Sequence, residues 1–241
     1  MGYDLKEEEK INDEKMMVLS NTLKLNSSIK KINLSENKSF GDEGMKHLSE
    51  ALKINNSLEI INLANNNIGD KAMEYFLESL KINTSLKEIH LCNNNNIGNE
   101  GIKYLSEALK MNSSLEMVNL GNNKIEEKGM TYLSESLIIN SFLKEIHISY
   151  VCIGKVEIKY FSEALKINSS LNTLYIDNNL LGAEGMKYLS EALKINSSLT
   201  QIDLSNNNIG EEGTKYLSEA LKTNFSLKTQ ILKKTVLSQK E

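Results

Sequence analysis

The sequence predicts an α/β solenoid, with parallel strands on one side and helices on the other. A segment of 28 or 29 residues recurs along nearly the whole chain, and its leading apolar residues lie at Ile29, Leu58, Leu86, Leu115, Leu143, Leu171, Leu199 and Leu227. Each copy begins with an alternating apolar pattern and continues with a helical one. A unit that changes period in this way, copied at constant spacing, is typical of stacked strand–helix repeats.

The copy from Leu199 to Ser226 shows both periods clearly. Its first part, L-x-x-I-x-L, has the alternation of a short strand with one buried face. The turn-forming stretch NNNIG follows, and then GTKYLSEALK carries the apolar stripe of an amphipathic helix. We expect Asn224, just past that helix, to adopt a left-handed C-cap conformation. Ser218, Glu219 and Lys222 are predicted to face solvent.

The repeats predict a single domain over residues 1–241. Residues 1–28 match the helical half of a repeat and are expected to cap the N-terminal end of the array. Residues 29–226 contain seven repeats, and residues 227–241 form a partial eighth repeat and a tail.

Composition excludes several classes of function. The chain of 241 residues has a net charge of −4 and a pI of about 5.6, which predicts no binding of nucleic acid or of an acidic membrane. It contains no arginine, and therefore neither an arginine finger nor a bidentate guanidinium clamp. Two unpaired cysteines, an N-terminus without an apolar core and the absence of long apolar runs favour an intracellular, cytoplasmic protein.

The repeat pattern L-x-x-L-x-L-x-x-N-x-I/L-G-x-x-G-x-x-x-L-x-x-x-L resembles the leucine-rich repeat, in its ribonuclease-inhibitor-like subclass. The resemblance covers roughly residues 12 to 232 and is specific, because seven consecutive copies fit the pattern. It implies a right-handed horseshoe in which the parallel sheet is concave and the helices are convex. It also implies that binding residues lie on the concave face. The chain lacks the cysteine-rich caps usual in extracellular members, which supports an intracellular location.

One asparagine recurs at the end of the strand segment of each repeat. The resemblance implies that its side chain bonds backbone groups of neighbouring turns in a structural ladder formed by Asn37, Asn66, Asn94, Asn123, Asn179 and Asn207. In the fifth repeat the same position is Val151, within ISYVCIGKVEIKY, and Glu157 stands where Gly185 and Gly213 stand later. We expect the missing amide to leave backbone groups poorly satisfied there. A second asparagine recurs just after each helix, mostly within Asn-x-Ser/Thr. We interpret it as part of the helix end and not as a glycosylation site.

Three positions per strand segment are expected to point outward on the concave face. They vary between repeats, whereas the core positions hardly do, which is the pattern of a recognition surface. Aromatic, methionine and charged positions are the usual hot spots of such a surface. The residues expected to bind a partner are Met117, His147, Tyr150, Tyr175, Asp177 and Asp203.

Catalytic, cofactor and metal sites are not predicted. Cys92 and His90 are separated by about 6.6 Å along one strand, too far for a nucleophile and its base. His90 and His147 lie two strands apart, about 10 Å, which is too far for one zinc ion. The sequence therefore predicts a monomeric, non-catalytic scaffold that binds another protein. Two alternatives remain open: a regulator of a small GTPase, similar to Ran GTPase-activating proteins, and a ligand-sensing segment of a larger receptor. Delivery into a host cell also remains open.

Overall fold

Strands and helices alternate strictly along the part of the chain that the computed structural model describes, residues 10–232. The helices are α1 (Asp13–Leu25), α2 (Asp42–Leu52), α3 (Asp70–Leu80), α4 (Asn99–Leu109), α5 (Glu127–Ile139), α6 (Lys155–Ile167), α7 (Gly182–Leu193) and α8 (Gly210–Leu221). The strands are β1 (Lys31–Asn33), β2 (Ile60–Asn62), β3 (Glu88–His90), β4 (Met117–Asn119), β5 (Glu145–His147), β6 (Thr173–Tyr175), β7 (Gln201–Asp203) and β8 (Thr229–Ile231).

The eight strands form one parallel sheet in the order of the sequence. Each residue pairs with its equivalent one repeat later, so that Ile32 pairs with Ile61 and Ile61 pairs with Ile89. This register follows from the constant repeat length. The predicted α/β solenoid is confirmed. The predicted cap and tail lie partly outside the described residues, at 1–9 and 233–241, and the domain boundaries stay a prediction.

The core lies between the sheet and the helices and is built from the same columns in every repeat. In the second repeat Ile61 and Leu63 contribute from the strand side, and Met73, Phe76 and Leu80 contribute from α3; all are at most 1% exposed. From β2 to β7 only the central residue of each strand is buried, and its two neighbours are half-buried. Each strand therefore contributes one side chain to the core and two to the opposite face.

The asparagine after each helix does not have the left-handed backbone that the sequence suggested. Asn168 has φ −65° and ψ 131°, and no asparagine in this column has a positive φ. The reason is that its side chain bonds backbone groups of two successive repeats. Asn112 Nδ2 donates to Leu80 O (2.7 Å) and Asn83 O (3.1 Å) of the preceding repeat, and its Oδ1 accepts from Ser114 N and Leu115 N.

Equivalent bonds recur in every repeat and form a second asparagine ladder, at Asn55, Asn83, Asn112, Asn140, Asn168, Asn196 and Asn224. The side chains are 5–9% exposed and fully engaged. The ladder thus gives these positions a structural role, and it joins the end of each helix to the end of the one before.

The serines of the helices are buried, contrary to the prediction of a solvated face. The column Ser49, Ser106, Ser134, Ser162 and Ser190 is at most 4% exposed. Ser218 is exposed, as predicted, because among residues 10–232 no further helix follows α8. A small side chain at this position lets adjacent helices pack closely. Within the same residues no helix is long and apolar enough to span a membrane.

The first residue of a helix caps the next helix in four repeats. Asp70 Oδ1 accepts from Gly98 N (2.6 Å) and Gly101 N (2.9 Å), at the start of α4. A Cβ on Gly101 would stand 2.6 Å from that oxygen, which explains the glycine. The equivalent caps belong to Asp13, Asp42 and Asn99.

Candidate partner-binding surface

The outward-facing strand positions form the concave surface, and its second column, the last residue of each strand, decides its chemistry. Where this residue is asparagine, the side chain is used by its own strand. Asn33, Asn62 and Asn119 each accept a hydrogen bond from the backbone N–H two residues later, at 3.0 Å. Asp203 makes the same bond with Ser205 N at 2.9 Å. His90, His147 and Tyr175 replace this local bond with rings.

His147 and Tyr175 form a stacked pair on neighbouring strands. Their ring centroids are 4.2 Å apart, with planes inclined by 29°. His147 Nε2 donates to Glu145 Oε1 (2.6 Å), and Gln201 Nε2 donates to the Tyr175 hydroxyl (2.7 Å). Both rings are half-buried and held on two sides, so that little side-chain entropy remains to be lost on binding.

The remaining predicted residues lie at different distances from this pair along the sheet. Asp177 lies two residues after the end of β6 and accepts hydrogen bonds from the Ser149 hydroxyl and from Asn178 Nδ2. Asp203 is the register partner of Tyr175 in the next strand. Met117 is half-buried in β4, beside Glu145 of β5. The structure therefore brings the predicted residues of β5 to β7 together and places Met117 at their edge.

Tyr150 belongs to the turn after β5 and not to the strand face. Its φ is +58°, and the equivalent turn residues Asn65, Asn93, Asn122, Asn178 and Asn206 have the same left-handed conformation. Asparagine tolerates this conformation, whereas it costs a bulky residue about 1 kcal/mol or more. The Tyr150 side chain is nevertheless 59% exposed, so packing does not repay that cost.

Replacing Tyr150 with asparagine should therefore raise the free energy of unfolding by about 1 kcal/mol. The reverse change, Asn122→Tyr, should lower it by a similar amount at the equivalent turn. Chemical denaturation followed by circular dichroism measures both. A Tyr150→Asn protein no more stable than the parent contradicts the assignment of strain to this turn.

The turn at Val151 loses fewer hydrogen bonds than the sequence suggested. Leu120 O still accepts from Asn123 Nδ2, and Ile148 O still accepts from Asn179 Nδ2, each at 2.8 Å. The expectation of poorly satisfied backbone groups is therefore wrong for these two carbonyls, because neighbouring ladder asparagines reach them, and it holds for one N–H group. Valine supplies no oxygen acceptor for the Asn123 N–H. In an intact repeat the ladder asparagine has this role, as Asn94 Oδ1 does for the N–H of Asn66.

Glu157 has a role of its own in this repeat. Its Oε2 accepts from Gly154 N at 2.9 Å and so caps α6 from within the helix. The preceding repeat offers Glu127 in the column that caps earlier helices, but Glu127 is exposed. Glutamate in place of glycine at position 157 therefore caps α6 from within its own repeat, whereas earlier helices are capped by a residue of the preceding repeat.

His90 and Cys92, the other reactive side chains of the concave surface, are held in their neutral forms. Burial lowers the pKa of His90, with His147 lowering it further and Glu88 and Glu145 opposing the shift. Burial likewise raises the pKa of the Cys92 thiol, which weakens it as a nucleophile. Among residues 10–232 no three His, Cys, Asp or Glu side chains form a group suited to a metal ion.

The lowered pKa of His90 predicts a dependence of stability on pH. Below about pH 6.5 the unfolded chain binds a proton at this histidine more readily than the folded chain does, so stability falls as the pH falls. We expect His90→Asn, which introduces the residue common in this column, to reduce this loss. Unfolding at pH 7.5 and at pH 5.5 compares the two proteins. An equal loss in both contradicts the assignment to His90.

A surface depression of about 620 Å³ lies away from the concave surface, beside the starts of the first helices. Its carboxylates include Asp13, Asp42 and Asp70. These oxygens already accept backbone hydrogen bonds of the next helix. The depression is therefore explained by helix capping and is not the candidate site.

Comparison with known proteins identifies the repeats. A family model described as Leucine Rich repeat matches residues 25–49, 55–77, 83–106 and 196–218. No curated protein sequence matches the chain. Similar solved structures include the tropomodulin C-terminal domain of Caenorhabditis elegans, with 18% identity over 89% of this chain and 94% of that one, at a TM-score of 0.41. Another is actin-binding site 2 of leiomodin-1, with 14% identity over 85% of this chain and 86% of that one, also at 0.41.

Proposed function

Because this chain is a leucine-rich repeat protein, we propose that it is a non-catalytic scaffold that binds another protein through its concave sheet and the adjoining turns. The observation that carries the proposal is the stacked pair of His147 and Tyr175. A ring pair that is rigid, half-buried and aimed away from the core offers apolar area at small entropic cost.

The surroundings of this pair give it the composition of a binding surface. Asp203 is paired with Tyr175 in the sheet, Asp177 lies two residues beyond Tyr175, and Tyr150 is exposed at the neighbouring turn. Binding anchors in protein interfaces combine aromatic rings with charged groups that become desolvated. The strained backbone of Tyr150 fits the same role, because strain without a packing benefit marks residues kept for function.

We also infer the ribonuclease-inhibitor-like subclass and an intracellular location. The subclass is supported by the repeat length of 28 or 29 residues and by a helix of at least 11 residues in every repeat. The location is supported by two cysteines that are both free.

The test is affinity capture from the source cell with a variant that keeps the fold. Tyr175→Asn combined with Asp203→Asn introduces the residue that three other repeats carry in this column, where it bonds its own strand. We expect about a thirtyfold loss in affinity for a partner bound at this surface. Tyr160→Ala with Glu163→Gln, a pair of the same types on α6, serves as the control.

An unchanged set of captured proteins with the concave variant contradicts the placement of the site. Accelerated GTP hydrolysis by a captured GTPase in the presence of the chain would instead support the regulatory alternative.

A further inference from the structure

A row of exposed apolar side chains runs along the edge where the helices end. Every repeat except the last contributes one residue to it, directly before the asparagine that follows the helix. The members of this apolar row are Leu25 (89% exposed), Ile54 (62%), Ile82 (58%), Met111 (64%), Ile139 (58%), Ile167 (61%) and Ile195 (62%). The last repeat carries Thr223 at this position.

The row has no function within the solenoid. Its side chains lie outside the core, and the adjoining asparagines make the contacts between repeats. Single exposed apolar residues are ordinary, whereas a contiguous apolar surface with a polar rim marks an interface. The threonine in the last repeat shows that the repeat tolerates a polar side chain there.

The row is widest near its middle. Ile138 stands where most repeats have lysine, and it is 45% exposed beside Ile139. Phe142, 46% exposed, stands where the other repeats have a small polar residue, and it borders a groove of about 220 Å³. Aromatic anchors near the centre are typical of interfaces with another protein chain.

The charges beside the row do not favour a membrane surface. Lysines flank most of its members, but Lys53, Lys81 and Lys166 are paired with glutamates one helical turn earlier, at 2.6 to 2.8 Å. Attraction to an anionic bilayer requires lysines free to face the lipid. Lysines that are already paired with glutamates carry no net charge as a pair, so two such surfaces can face each other without repulsion. This favours a protein partner.

The constant spacing of the row selects among protein partners. Packed helices lie about 10 Å apart, so that seven repeats extend the row over about 60 Å. A single partner helix would need about 40 residues to cover it. A second copy of this chain presents the same spacing by construction. We propose that the apolar row is the interface of a symmetric homodimer, in which Met111, the central member, lies at the two-fold axis.

This proposal revises the monomer expected from the sequence, and it is independent of the partner bound by the concave surface. Sedimentation velocity on the full chain over a wide concentration range tests it. We expect reversible dimerisation, weakened about tenfold or more by the triple variant Ile82→Thr, Met111→Thr, Ile139→Thr. Threonine is chosen because position 223 carries it naturally.

The matched control is Val18→Thr with Leu180→Asn, which removes exposed apolar side chains outside the row and should leave dimerisation unchanged. Thermal unfolding by circular dichroism establishes that both variants fold. A parent chain that stays monomeric overturns the proposal. So does a dimer that the triple variant leaves intact, and so does a monomer that binds vesicles of anionic phospholipid through the row.

Discussion

Replacing Asn112 with alanine should lower the free energy of unfolding by about 3 kcal/mol. The side chain is 5% exposed and bonds four backbone groups. Its loss leaves Leu80 O and two N–H groups, those of Ser114 and Leu115, without their side-chain partner. No other side chain in the second ladder donates to Leu80 O, so the neighbouring repeats do not compensate.

Chemical denaturation followed by circular dichroism measures this effect, and amide exchange of the end of α3 and the start of β4 locates it. Ser113→Ala, at the exposed neighbouring position, is the control and should change stability by less than about 0.5 kcal/mol. A loss no greater than that of the control contradicts the structural role assigned to Asn112.

Replacing Asn94 with alanine should cost less, about 2 kcal/mol, although Asn94 is completely buried. Its Oδ1 accepts from Asn66 N and Ile68 N, and these donors lose their acceptor. The carbonyls that it also reaches keep a partner in the substituted chain. Asn66 Nδ2 donates to Leu63 O and Asn123 Nδ2 donates to Leu91 O, each at 3.0 Å.

The order of the two losses in free energy of unfolding therefore tests the two ladders more sharply than either loss alone. The first ladder supplies two amides to most of its carbonyls, and the second ladder supplies one. The same denaturation experiment on Asn94→Ala, with exposed Asn95→Ala as control, decides the order. An Asn94 variant less stable than the Asn112 variant would show that the shared carbonyls do not protect the first ladder.

The same redundancy explains why the fifth repeat tolerates Val151. In a repeat array the ladder carbonyls are reached by asparagines of neighbouring repeats. One missing amide therefore leaves these carbonyls bonded and removes only one oxygen acceptor. The sequence identified the position of this irregularity from the repeat period. It did not reveal the compensation, because the asparagine that bonds Ile148 O is Asn179, 31 positions away in the sequence.

Part of the candidate surface could also be predicted from the repeats. The alternation of each strand predicted which side chains point outward, and His147, Tyr175, Asp177 and Asp203 lie there. The stacking of His147 on Tyr175 and the hydrogen bond from Gln201 depend on side-chain conformations, which the repeat period does not determine. Tyr150 was grouped with these residues, and its distinct turn conformation became visible only in the backbone angles.

The sequence by itself determined the repeat length, the order of strand and helix in each repeat, the core columns and the position of the irregular repeat. These properties follow from local periodicity, which a single chain displays directly. Only the tertiary structure decided that the second asparagine column is a ladder, that the helix serines are buried, that Asp70 caps the next helix, and that one apolar column stays exposed. Each of these depends on contacts between repeats, and stacking determines which side of a repeated unit its neighbour covers.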